Sequence, residues 1–389
     1  MKRQVILLSA LILLSALLLS AFASCSDTQT PETTTKAPDA ASDTQTEKET
    51  ETVPETDPVP EQPAPSCYQN ACRFGLTQEE VDSSFSGLLD GLFTGRTEEV
   101  ITGKSVGETF GFHFMDIVFY EGKYLAYYIC YNTPTGKGGV GLAVSDDAFS
   151  WEDKGCVIPP DRDYDCNGAY FAGVWLDTDR TFYLVYECKG GENTEYGTLE
   201  NIALATSPDG VNWDKKGVIL YKNTKLKWQT ANVGTPDLYK IGDTWYLTFH
   251  GFNYTDCQIG LAYGTDLFDL TVVKKPVIPT KNGTRYSGTT GRRDVLYCGG
   301  YYYMVYEIST DQVAGSYFAG AKWTHMFARS KDMMNWEITE GPQLVQKSGE
   351  EETGGFGYDG PCWMISDGKL YVFMRGGPST LVVELKEKD

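Results

Sequence analysis

GTPDLYKIGDTWYLTFHGFN, residues 234–253, is the phrase from which most of this chain is built. It reads as a short apolar run at Asp237-Leu238-Tyr239, a tight turn at Gly242-Asp243, and an aromatic-rich strand that ends on a polar residue. The phrase returns four times: MDIVFYEGKYLAYYICYN from Met115, AGVWLDTDRTFYLVYECKG from Ala172, RRDVLYCGGYYYMVYEIST from Arg292 and GPCWMISDGKLYVFMRGG from Gly360. The tyrosine after each turn (Tyr124, Tyr183, Tyr246, Tyr303, Tyr371) recurs at steps of 59, 63, 57 and 68 residues. Self-similarity at such a period marks a repeated supersecondary unit.

A second phrase follows the first in four of the five copies. It begins GLAVSDDAFSW at Gly141, IALATSPDGVNW at Ile202, GLAYGTDLFDL at Gly260 and MFARSKDMMNW at Met326. Its skeleton is an apolar strand, a Ser-x-Asp turn, a Trp (Trp151, Trp213, Trp336; Leu270 in the third copy) and a second short strand. Each unit therefore offers two hairpins, with Asp and Gly supplying turn geometry and alternating aromatics supplying burial on both faces. Five four-stranded antiparallel units predict an all-β chain folded as a five-bladed β-propeller, whose radial closure protects the strand edges. The fifth unit lacks one strand, and Glu98–Gly103 is expected to supply it and close the ring. Thr77–Phe93 has apolar residues at helical spacing, which predicts a short helix before that strand.

The domain organisation follows: 1–24, 25–66, 67–105 with the helix and closing strand, and 106–389 as the propeller. Residues 1–24 have a basic end at Lys2 and Arg3, an apolar core from Val5 to Leu19 and a small-residue exit, as in a signal peptide. Cys25 after Ala23-Ser24 resembles the lipobox of bacterial lipoproteins, with Phe22 where Leu is usual. That resemblance implies lipidation at Cys25 and an extracellular, lipid-anchored place on a bacterial surface; an ordinary secretory peptide is the alternative. Residues 26–66 hold 10 Thr, 7 Pro, 10 acidic and 2 basic side chains and no aromatic, a composition that predicts a disordered, solvated tether. The whole chain carries a formal charge of −20, which excludes nucleic acid and anionic membrane surfaces as partners, the lipid anchor aside. Ten cysteines form no CxxC pair and no zinc-like spacing with the three histidines, so no metal site and no cofactor are expected, with a structural ion in the central channel left open. Cys67 with Cys72, and Cys156 with Cys166, are the close pairs a disulfide could join.

In a propeller the first strand of each blade lines the channel and the second returns to the starting face. First-strand starts and second-strand ends therefore share one rim. The first-strand set is His113, Asp116, Asp237, Arg292, Arg293, Asp294 and Asp359. The second-strand set includes Glu187, His250, Glu307 and Arg375. Strand interiors normally exclude charge, so the set points to a functional mouth. Several carboxyls crowded there can separate their pKa values and so provide an acid and a base. Tyr131, Trp175, Trp228, Phe252 and Tyr358 could stack on sugar faces.

The repeat grammar over Gly111–Asp389, clearest in SPDGVNW at Ser207–Trp213, resembles the five-bladed glycoside hydrolase clan: the family 43 arabinanases and xylosidases and, more distantly, the invertases and levansucrases. In arabinanase-like members a blade-one Asp is the general base, a blade-two Asp tunes its pKa and a blade-three Glu is the general acid. The first carries over to Asp116, a few residues out of register and nearer His113. Ala172-Gly173-Val174 holds the second position, and Gly234 stands where the Glu would be, with Asp237 three residues on. Arg293-Asp294 and Glu187-Cys188 echo the invertase Arg-Asp-Pro and Glu-Cys motifs in reversed order. The resemblance implies a glycosidase with Asp116 as base, Asp237 as pKa tuner, Glu187 or Glu307 as acid, and Arg292 and Arg293 on hydroxyls or a carboxylated sugar. His113, Trp175, His250, Asp294, Asp359 and Arg375 would bind substrate. The displaced acids keep a second reading open, a surface glycan-binding propeller that does not cut, and a structural or protein-binding propeller is a third.

Overall fold

The computed structural model describes residues 70–106, 114–279, 289–309, 323–340, 358–376 and 379–389. The expected signal peptide, Cys25, the tether, Cys67 and His113 lie outside them. The strands form five antiparallel sheets of four. Blade one runs Phe114–Tyr120, Lys123–Cys130, Gly139–Ser145 and Trp151–Ile158, and blade two Gly168–Leu176, Phe182–Lys189, Glu200–Ser207 and Asp214–Leu220. Blade three is Asn232–Ile241, Thr244–Phe252, Cys257–Gly264 and Thr271–Val272, and blade four Thr290–Cys298, Tyr301–Ser309, Trp323–Ser330 and Glu337–Ile338. Blade five takes Tyr358–Ser366, Lys369–Gly376 and Ser379–Glu387 and borrows Thr97–Val106 as its outer strand, with Thr97 opposite Glu387 and Val106 opposite Thr380. The ring therefore closes as expected, and the propeller includes chain that precedes residue 106. The first strands touch one another in sequence around the ring and line the channel.

The Ser-x-Asp turns explain why the second phrase is repeated. In blade two Asp209 accepts the Ser207 hydroxyl and the amides of Val211 and Asn212 at 2.8–2.9 Å. Asp147 and Asp332 make the same bonds in blades one and four. The following tryptophans, Trp151 and Trp336, donate from Nε1 to the carbonyls of Ala148 and Met333, pinning the fourth strand to the turn.

Among the described residues two helices precede the ring: α1, Asn70–Phe74, and α2, Gln78–Thr94. Thr77 and Glu80 form a capping box at the start of α2, and Gly95 ends it in the left-handed conformation. Val81, Phe85, Leu89 and Leu92 face a core shared with Leu296, Val305, Trp363 and Leu370 of blades four and five. No helix among the described residues is long and apolar enough to cross a membrane. Cys156 and Cys166 are free thiols, so that pairing is corrected: Cys166 lies in the loop entering blade two with Sγ 3.6 Å from the Asp163 carbonyl, whereas the Cys156 thiol meets that of Cys130.

Each first strand carries a bulge near its start, at Phe114/Asp116, Tyr170/Gly173, Gly234/Asp237, Thr290/Arg293 and Asp359/Cys362. Three of these bulges contain a residue at positive φ: Phe171 (44°), Thr235 (41°) and Gly360 (60°). A bulge re-aims side chains and exposes an amide that the ladder cannot use, and the polar chemistry gathers around these five places.

Candidate active site

The described polar residues of the channel form two tiers. The lower tier is sealed from the face where first strands end. Arg73 of α1 enters there, donating to the Val295 carbonyl at 2.6 Å and to Asp294 at 2.8 Å, with Asp116 at 3.6 Å. Asn70 anchors the same helix on the Tyr297 carbonyl. The three aspartates of this tier stitch one blade to the next through strand amides that follow the bulges, Asp237 by way of a tyrosine hydroxyl. Asp116 accepts from Val174 of blade two at 2.7 Å and Asp294 from Trp363 of blade five at 2.7 Å. Asp237 accepts the Tyr239 hydroxyl, which itself accepts the amide of Val295. Burial and the Asp237 carboxylate push Asp116 up to about 8 while Arg73 pulls it down. Burial raises Asp237 to about 6 against the pull of Arg292.

Arg292 and Arg293 also belong to this tier. Both are fully buried and donate to backbone of blade three, Arg292 to the Pro236 carbonyl at 3.1 Å and Arg293 to the carbonyl and hydroxyl of Thr235. These bonds tie blade four to blade three. Trp175, expected at the mouth, lies at the far end of its strand opposite Tyr183, packed in the core. Trp228 and Tyr358 are buried too. The carboxylates of Asp116 and Asp294 and the Cys362 thiol lie within 4.8 Å of one another, a set that could hold a channel ion. The Arg73 guanidinium stands among them and already supplies the positive charge.

The upper tier lies toward the face where first strands start. Glu187, His250, Glu307 and Arg375 fall four residues after the anchor tyrosines of blades two to five, so one repeat position supplies all four. Glu187 Oε2 accepts the amide of Thr235 at 3.0 Å. Glu307 accepts the amides of Arg292 at 2.7 Å and Gly360 at 2.6 Å. These amides belong to equivalent bulge residues. Both carboxyls take the space of a side chain missing from the first strand: a Cβ on Gly234 would lie 2.2 Å from Glu187 Oε2, and one on Gly291 2.1 Å from Glu307 Oε1. The two carboxyls thus fill, from the neighbouring strand, the volume at the glycines.

Electrostatics separate these groups. Glu187 is pushed up to about 8 by burial and then by Glu200, with Lys189 and the Thr235 amide opposing. Glu307 is raised to about 7 by burial and Asp359, opposed by its two amides. His250 is driven down to about 3 by burial and Arg293. Its Nδ1 lies 2.9 Å from the Thr235 hydroxyl, which also receives Arg293. Asp359 grips Arg375 through two hydrogen bonds, and Lys189 pairs with Glu200 at 2.6 Å. Sequence reasoning missed Arg73, Thr235, Lys189 and Glu200. Lys189 and Thr235 lie inside the repeat beside residues that were singled out, but Arg73 precedes the repeat and nothing in its own stretch announces a plug.

Comparison with known proteins agrees with this architecture. The family model for the glycosyl hydrolases family 32 N-terminal domain matches residues 115–284, the span of blades one to three. Sucrose-6-phosphate hydrolase of Bacillus subtilis (strain 168) is 27% identical over 135 residues, 34% of this chain and 27% of that protein. Raffinose invertase of Escherichia coli is 24% identical over 159 residues, 39% of this chain and 32% of that protein. The chain thus spans about a quarter to a third of the curated relatives it matches. Among solved structures, a glycoside hydrolase superposes with a TM-score of 0.58 at 16% identity, covering 81% of this chain and 96% of that one. A thermostable family-43 glycoside hydrolase gives 0.55 at 17% identity, covering 74% and 93%. The β-1,2-mannobiose phosphorylase of Listeria innocua gives 0.55 at 14%, covering 73% and 90%. The fold is that of a glycoside hydrolase-like five-bladed propeller.

Proposed function

We propose that this chain is a glycosidase in which Glu187 is the general acid and Glu307 its ionised partner. Glycoside hydrolysis needs a protonated carboxyl for the leaving oxygen and an ionised one to activate water or attack carbon. Burial raises both carboxyls, Glu187 to about 8 and Glu307 to about 7, and Glu307 accepts two amides that favour its charged form where Glu187 accepts one. The observation that carries the assignment is the seat of Glu187, whose carboxyl occupies the volume at Gly234 where the resemblance places the acid. One of its oxygens accepts the Thr235 amide, and the other accepts no hydrogen bond among the described residues. Asp116, with both oxygens on backbone amides and Arg73 beside it, is better suited to hold the ring together. With an aryl-glycoside panel and the full chain, Glu187→Gln should lower kcat by about a hundred- to ten-thousand-fold with little change in KM. Undiminished turnover by that variant would remove Glu187 from the role.

A second reading, glycan binding without cleavage, is favoured by the bonds that Glu187 and Glu307 make to the next blade's amides, since a bracket need not be a catalyst. Retained polysaccharide binding with no turnover of any substrate would select it. The propeller would work outside the cell, tethered through residues 26–66 to a lipid at Cys25. Cys25→Ser should then move the protein from the membrane fraction to the soluble one, and an unmoved variant would end the anchor proposal.

A further inference from the structure

We infer that the mouth continues as an aromatic track across the top of blade two, and that the track holds a chain of uncharged sugar units. The site would then take a polysaccharide or long oligosaccharide rather than a free mono- or disaccharide; this rests on the carbohydrate reading above. Tyr164 lies in the loop entering blade two, Tyr196 in the loop between its second and third strands, and Tyr221 just beyond its outer strand. By the alternation of strand directions all three stand on the face that carries Glu187. The rings of Tyr164 and Tyr196 meet edge to face at 5.7 Å, and Tyr196 is within electrostatic reach of Tyr221, which is 51% exposed. Toward the channel, Tyr170 lies under the Lys189 ammonium and within reach of Glu187. Tyr131, 63% exposed, faces Lys189 and Arg375. Two aromatic groups thus share this face, Tyr164, Tyr196 and Tyr221 toward the outer edge of the blade and Tyr170 and Tyr131 beside the proposed acid, within the three strand spacings of ~4.8 Å that a four-stranded blade spans.

Exposed apolar surface gathered in one line marks a binding site, and ring faces with hydroxyl-bonding carboxylates beside them suit sugars. The track is preorganised. Asp165, fully buried, ties the entry loop to the blade, accepting the Arg162 amide at 2.8 Å, the Tyr186 hydroxyl at 3.0 Å and Lys215 at 2.6 Å. Lys215 also donates to the Pro159 carbonyl. A platform fixed before binding loses less entropy when the ligand arrives. Charge selects the ligand class. Lys189 and Arg375 are already matched by Glu200 and Asp359, and Asp163, Glu192 and Glu195 are exposed along the flank, so a phosphorylated or carboxylated chain would meet repulsion.

Electrophoresis of the full chain through gels containing arabinan, xylan, levan or polygalacturonate tests this. At least one of the three neutral polymers should retard the wild type, and polygalacturonate should not. Tyr196→Ala with Tyr221→Ala should weaken that retardation at least tenfold while leaving turnover of small aryl-glycosides intact, and Tyr221→Ser alone, at a half-exposed ring, should weaken it in the same direction. Glu187→Gln should remain retarded, which separates this inference from the assignment of the acid. The track is overturned if no neutral polymer retards the wild type, if the double variant runs as the wild type does, or if polygalacturonate alone binds.

Discussion

Thr235 shows how much of the site rests on single residues. A β-branched side chain at φ 41° is an outlier that costs ~1–3 kcal/mol. It is held there by bonds to Glu187, His250 and Arg293, so strain and function meet at one bulge. Arg73 has the same weight in the lower tier. It is the cation closest to Asp294 and Asp116, both buried. Removing one partner of a buried ionic group leaves uncompensated charge, at a cost of about 3–5 kcal/mol. Arg73→Leu should therefore shift the urea midpoint strongly downward. A variant that unfolds at the wild-type midpoint would show that α1 is not a plug.

At the scale of elements, the Ser-x-Asp turns carry a sharp test. Gly210 sits at φ 73°, and a Cβ there would lie 2.8 Å from the Tyr127 hydroxyl, which donates to the Gly210 carbonyl. Gly210→Ala combines backbone strain with a clash against the neighbouring blade, so a loss of about 1–3 kcal/mol is expected. Calorimetry showing no change in melting temperature would mean that the turn relaxes freely. The equivalent places hold Ala148 and Met333 at φ 67° and 61°, so this strain is tolerated when the surroundings were built for it. The strands themselves were legible because the hairpin grammar is local: an aromatic alternation, a Gly-Asp turn, a Ser-x-Asp loop. The helix over Gln78–Thr94 was legible through its apolar spacing. The bulges were not, because they arise within the pairing of each blade's first and second strands, and no local pattern records that register. Asp116, Arg292 and Arg293, counted as rim residues, lie buried beside these bulges.

At the scale of the whole ring, closure by Thr97–Val106 was legible by counting strands, whereas the two-tier channel was not, because Arg73 comes from outside the repeat. The channel makes the stability of the propeller depend on pH. Glu187, Glu307 and Asp116 keep their protons in the fold up to about 8, 7 and 8. In the unfolded chain such carboxyls release them near ~4. Their contribution is complete below ~4. As pH rises from there, the unfolded chain sheds protons that the fold retains, and stability falls until the folded groups ionise as well. His250 has the opposite sign. Its folded value of about 3 lies below the ~6.5 of the unfolded residue, so its contribution is present above ~6.5 and lost as pH falls toward 3. Between ~4 and ~6.5 the two slopes oppose each other. From ~6.5 to ~8 only the carboxyls remain, and the melting temperature should drop across that window. Glu187→Gln removes one of the groups and should flatten the drop. A wild-type melting temperature that holds or climbs from pH 6.5 to 8 would contradict the assignment of buried, protonated acids, and a Glu187→Gln curve parallel to it would take Glu187 out of the set.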